Sequence, residues 1–167
     1  MNGAAEAARI ADELDRAFRG DPWHGSPLSR ILAGITAGDA AARPLRTAHS
    51  IWEIVLHVTA WTHEVERRLR GHPPGQPPAG DWPPVVTCTD EAWASARRDV
   101  DSALDELLHT LATFPDDALW NPVGQTRDQA AGTGMTFYVM LHGLVQHTVY
   151  HSAQIAALRR VLAGGVP

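Results

Sequence analysis

Cysteine is nearly absent: Cys88 is the only one in 167 residues. A lone thiol excludes an intramolecular disulfide framework and a cysteine-rich zinc module, so any metal would fall to the nine histidines and the carboxylates. No local Cys/His pattern surrounds Cys88, and it reads as an inert thiol. Basic tracts are missing too. With a formal charge of −5 and scattered arginines, the chain has nothing that would track phosphates, which excludes nucleic acid as a partner. No run approaches the roughly 18 apolar residues of a membrane span, and residues 1–20 carry acidic side chains without a continuous apolar core, against a signal peptide. The expectation is a soluble, cytoplasmic protein with no membrane partner. Alternating strand patterns and internal repeats are also lacking.

What remains is helical. At this length one domain over residues 1–167 is expected, large enough to bury roughly two thirds of its unfolded surface. Ala7, Ile10, Ala11, Leu14 and Phe18 recur at helical spacing, with Gly20 as a stop. Ser26 as N-cap and Pro27 at the first helical position predict a short helix through Ile31 and Leu32. A second long helix is predicted over about residues 47–69, with Ile51, Ile54, Val58, Trp61, Val65 and Leu69 on one side and His57 at the margin of that stripe. Residues 71–84 are rich in proline and glycine and predict an exposed irregular loop. Trp93, Val100, Leu104, Leu107 and Leu111 mark a third long helix capped near Thr89 or Asp90 and ending near Pro115, and a fourth spans about residues 134–162. Four amphipathic helices without strands predict an all-α bundle.

The fourth helix carries His147-Thr148-Val149-Tyr150-His151. Residues four apart share one helix face, so the two imidazoles can reach a common ion. At about 100° per residue, Met140, Leu144, Ile155 and Leu158 fall within roughly 80° of His147, which places the pair in the core-facing stripe. Two neutral imidazoles there would be costly without a shared partner. Gln154 lies beside the pair and reads equally as a residue that orients a bound water or a substrate and as a plain polar residue at the boundary of the stripe. Glu53 and Glu64, one turn before His57 and two turns after it, are candidates for an outer partner or a general base, against the plainer reading of solvated helix glutamates. His142 points away from the pair. His24, His49, His63, His72 and His109 show no spacing that suggests a separate site, and Trp52 and Trp61 read as core or interface residues.

Three blocks together are distinctive: Asp21-Pro22-Trp23-His24-Gly25; His49-Ser50-Ile51-Trp52-Glu53 with His57 and Trp61; and His147-Thr148-Val149-Tyr150-His151-Ser152-Ala153-Gln154-Ile155. They resemble the DinB-like (YfiT-like) superfamily of metalloenzymes, from about the first helix to the end of the chain. The resemblance implies an up-down-down-up four-helix bundle. It also implies a divalent metal held by one histidine of the second long helix and two of the last, here His57, His147 and His151. Three imidazoles suit zinc or nickel, with iron or manganese as further options, and leave coordination open for water or substrate.

From several relatives the resemblance further implies a thiol-dependent S-transferase, with a low-molecular-weight thiol and a small electrophile as partners. A metal-dependent hydrolase would use the same ligands. The non-catalytic alternative is a metal-stabilised dimeric bundle involved in stress response. A homodimer is implied in either case, and the six tryptophans, more than a small core readily encloses, agree with it.

Overall fold

Ser50 sets the start of the helix that carries His57. Its hydroxyl accepts the Glu53 backbone N–H at 3.2 Å, while the Glu53 carboxylate accepts the Ser50 N–H at 2.8 Å, a reciprocal capping box. The helix therefore begins at Ile51, later than the apolar spacing alone predicts, and Glu53 is occupied as a cap. Its carboxylate also pairs with Arg43.

The computed structural model describes residues 5–124 and 134–164. Six helices occur among them: α1 (Glu6–Phe18), α2 (Leu28–Leu32), α3 (Ala37–Ala41), α4 (Ile51–Leu69), α5 (Asp90–Leu111) and α6 (Phe137–Leu162), with a 3-10 turn at Asp116–Trp120. Among the described residues the only bridge-type pairing is an isolated one between Pro122 and Thr136, and no helix is long and apolar enough to cross a membrane. The long helices α1, α4, α5 and α6 share one core. Helices α1 and α4 each pack against both α5 and α6, so the four occupy the corners of a bundle. Leu104, Leu107 and Leu141 are fully enclosed in it, each contributing about 1.5–3 kcal/mol by burial.

Several boundaries differ from those read in the sequence, for local reasons. Pro27, not Ser26, takes the N-cap position of α2, and no side chain caps it. The extra one-turn helix α3 arises because Thr36 accepts the Asp39 N–H. Helix α5 ends at Leu111, short of Pro115, and a 3-10 turn fills part of the connection. Helix α6 starts at Phe137 because Gly134 has a φ of 72°, outside the helical region, and Thr136 supplies the cap by accepting the Val139 N–H at 3.3 Å.

The 71–84 segment is irregular as expected, but it is not simply exposed. Glu64 and Arg68 form an ion pair at 2.8 Å with side chains 2% and 3% exposed. Both also hold Gly75: Glu64 accepts its N–H at 3.1 Å and Arg68 donates to its carbonyl at 2.7 Å. Pro77 is buried. Fixed at this point, the segment folds back along α4, bringing Asp81 and Trp82 against His57.

Candidate metal centre

His57 comes from α4, and His147 and His151 from successive turns of α6, the helix packed against it. One ring nitrogen from each lies within 4.8 Å of the other two, and the Nε2 atoms of His57 and His147 are 2.9 Å apart. In a tetrahedral zinc site with Zn–N of about 2.1 Å, neighbouring donors lie roughly 3.4 Å apart, so the cluster has the dimensions of a first coordination shell. Among the described residues it holds three such donors.

Hydrogen bonding fixes which nitrogens face inward. His57 Nδ1–H donates to the Asp81 carbonyl at 2.6 Å. A carbonyl only accepts, so the proton of the neutral ring is on Nδ1 and Nε2 presents a lone pair. His151 Nδ1–H likewise donates to Gln154 Oε1 at 2.7 Å, leaving its Nε2 as the donor for an ion. Ligating histidines are held this way by oxygen partners. His147 is different, because its buried Nδ1 has no hydrogen-bond partner among the described residues. Without an ion the 2.9 Å contact can only be His147 Nε2–H donating to the His57 lone pair, so a single proton occupies a position that a divalent cation would fill. The residues present fit such an ion.

Burial keeps the rings neutral, as metal binding requires. Desolvation is the largest cause of the lowered pKa of each histidine. His147 is pushed down to about 3, where repulsion from His151 and His57 adds to the loss of solvent. For His57 and His151, the hydrogen bonds to Asp81 and Gln154 work in the opposite direction without reversing it.

An aromatic layer covers the cluster. Trp82 is sandwiched between His57 and His49, with ring centroids 3.8 and 3.6 Å away and planes within 8° and 3° of parallel. Asp81 also accepts the Trp61 indole N–H at 2.7 Å, which ties the loop to α4. Cavities flank the cluster on two sides. One of about 480 Å³ has His147 in its wall, and one of about 390 Å³ has His49, Trp82, His151 and Gln154 in its wall.

The structure thus brings together His57, His147 and His151, with Gln154 against His151. It does not bring Glu53 or Glu64 to them. Glu53 serves the cap of α4, and Glu64 is sealed in the pair with Arg68, so neither is a solvated helix glutamate. His142 meets Glu13 and Tyr138, away from the cluster. Cys88 is exposed. Sequence reasoning missed Asp81, Trp82 and His49. The one available signal was an Asp-Trp pair inside a segment otherwise made of proline and glycine, where a large apolar ring needs something to cover.

A DinB superfamily profile matches residues 23–155. The crystal structure of a conserved protein from Enterococcus faecalis superposes with a TM-score of 0.72 at 14% sequence identity, covering 97% of this chain and 99% of that one. At that identity the likeness is one of fold. No curated protein matches the chain significantly.

Proposed function

Because this chain belongs to the DinB superfamily, we propose that it is a metal-dependent enzyme, a thiol-dependent S-transferase whose divalent cation is held by His57, His147 and His151. Zinc or nickel suits three neutral imidazoles best. The observation that carries the reading is the convergence of three donor nitrogens within 4.8 Å, two of them on rings whose other nitrogen is committed to an oxygen acceptor. Three protein donors among the described residues, rather than four, favour an open site over a closed structural one. In the same reading the long helices run up-down-down-up, and the protein works as a cytoplasmic homodimer.

A bound divalent cation would supply Lewis-acid stabilisation of a thiol in its deprotonated form. The chain's own residues do the rest. The Asp81 carbonyl and Gln154 hold two of the rings in one tautomer and orientation. Trp82 keeps water from one side, and the flanking cavities give two partners separate approaches to the same point.

The test is to load the protein with zinc, nickel, manganese or iron(II) and screen small thiols against electrophilic acceptors, alongside ester and amide hydrolysis. The expected result is metal-dependent turnover that needs the thiol and is lost in His151→Ala. Turnover without thiol would point to hydrolysis instead. Inertness of every metal form, with spectroscopy showing four protein ligands and no exchangeable position, would overturn the enzyme reading in favour of a structural metal.

A further inference from the structure

Helix α6 carries a glycine where helices avoid one. Gly143 lies in the interior of the helix, at a cost of about 1 kcal/mol relative to alanine. Its φ is not in the left-handed region, and a Cβ built on it would meet nothing within 4 Å. Neither backbone geometry nor close packing therefore calls for glycine. Its position does: Gly143 is exposed, lies one turn before His147 on the same helix face, and lines the same cavity. A long side chain at 143 would project into open space and take up room in the cavity that His147 lines.

The space so opened belongs to the cavity of about 480 Å³, within the usual range for small-molecule sites. Trp61, Val65, Met135, Val139, Met140 and Leu144 give it apolar walls. Among the described residues the one permanently charged group in its wall is Arg68, already engaged by Glu64 at 2.8 Å and by the Gly75 carbonyl, while Tyr138, His142 and Gln146 add a few neutral polar atoms. No aspartate or glutamate lines it among the described residues. His147, whose Nε2 is 2.9 Å from that of His57, is part of its wall, so the cavity reaches a member of the histidine cluster.

We propose that this cavity receives an uncharged, largely apolar molecule, alkyl or aromatic, and that Gly143 is the position that admits it to the face of His147. In the enzymatic reading, on which this assignment of a role rests, that molecule is the electrophile, and the thiol approaches from the more polar side at His49, Trp82 and Gln154. Gly143 acts by leaving room, and sets which molecules reach the cluster.

The experiment uses two fluorescent probes that differ by one sulfonate, neutral N-phenyl-1-naphthylamine and anionic 1-anilinonaphthalene-8-sulfonate. They are titrated into wild type, Gly143→Trp and Val139→Glu, with metal affinity measured separately by chelator competition. Wild type should bind the neutral probe at least tenfold more tightly than the anionic one. Gly143→Trp, which fills the cavity from an open position, and Val139→Glu, which puts a charge at its half-exposed wall, should each weaken neutral-probe binding at least tenfold while metal affinity stays within threefold. Neutral-probe binding unchanged in both variants, or stronger binding of the anionic probe, would overturn the proposal. So would a wild type that ignores both probes yet passes from dimer to monomer on Val139→Glu, since that assigns the wall to a second copy of the chain. Loss of metal binding in wild type would remove the metal reading and leave the probe result to decide on the cavity.

Discussion

Trp82 lies face to face with His57, centroids 3.8 Å apart and planes 8° from parallel, although the two residues come from a proline-rich loop and a bundle helix. The contact is made possible by the Asp81 carbonyl, which accepts from the same imidazole. One loop dipeptide thus orients His57 in its plane and covers its face. A hydrophobic cover limits solvent access to a metal site and strengthens its electrostatics. Trp82→Ala should leave helix content unchanged but weaken metal affinity about tenfold, mostly through faster release. Stopped-flow release to a chelator would show it, and an unaltered release rate would mean that Trp82 only fills space.

Removing a donor and removing its holder should be separable. His57→Ala, His147→Ala and His151→Ala each delete a candidate ligand, and each should reduce retention far more than the about 10–100-fold expected for losing an outer partner such as Gln154 in Gln154→Leu. Metal analysis and competition titrations of the four variants check the order. Equal stoichiometry and affinity in wild type and the three histidine variants would remove the site altogether.

Glu64 makes a different prediction, because its role is to balance Arg68 and hold Gly75. Glu64→Ala breaks the buried ion pair with Arg68 and removes the acceptor of the Gly75 N–H, which costs about 3–5 kcal/mol. Urea denaturation should register that loss. The double variant Glu64→Ala, Arg68→Met should recover part of it, since the guanidinium that lost Glu64 is gone as well. A cost below about 1 kcal/mol for the single variant would show that the pair is far better solvated than its burial indicates.

How much of this was legible in the sequence follows from the range of each interaction. The long helices were readable because apolar spacing is local, and the His147 and His151 pair because four residues make one turn. His57 carries only a weak local mark, a lone histidine at the margin of an apolar stripe that could supply a third ligand, and the resemblance is what singles it out. Its convergence with the pair depends on the packing of α4 against α6, which no periodicity encodes. Helix starts were misplaced where a cap decided them: Ser50 with Glu53, and Thr136 after Gly134. The cap also explains why Glu53 looked like a candidate for chemistry, since a helix wheel shows its side but not its occupation. Proline and glycine predict an exposed loop because they disfavour regular structure, which says nothing about whether irregular backbone can be pinned by a buried ion pair on the neighbouring helix.

The capping box gives a control that separates fold from site. Ser50→Ala removes the hydroxyl that accepts the Glu53 N–H, and should cost about 1 kcal/mol, within the 0.5–2 kcal/mol range for such caps. Metal affinity should change less than twofold, because His57 lies nearly two turns further on. Thermal melting together with competition titration tests both halves. A large fall in metal affinity with no loss of stability would return Glu53 and its surroundings to the site.

The final prediction concerns acid. In the unfolded chain the three histidines titrate near 6.5, whereas in the folded protein burial lowers all three, His147 to about 3. Between those values the unfolded state binds more protons, so stability rises with pH there: the contribution is complete above about 6.5 and is lost progressively as the pH falls. For each histidine that stays neutral in the fold, the slope is about 1.4 kcal/mol per pH unit. Glu53, whose carboxyl is lowered with the Ser50 and Arg43 contacts acting against its burial, loses its contribution only below about 4.5, so pH 5 to 6.5 isolates the imidazoles. Urea denaturation of metal-free protein at pH 7, 6 and 5 should therefore show a steady fall. His147→Phe should flatten that fall by up to about 1.4 kcal/mol per unit, because one site of proton uptake in the unfolded chain is gone. Metal should make the wild-type dependence steeper, since protons and cation compete for the same nitrogens. A stability that is level from pH 7 to 5 without metal would mean that the rings accept protons in place, and that the cluster is open enough to water to hold a charge.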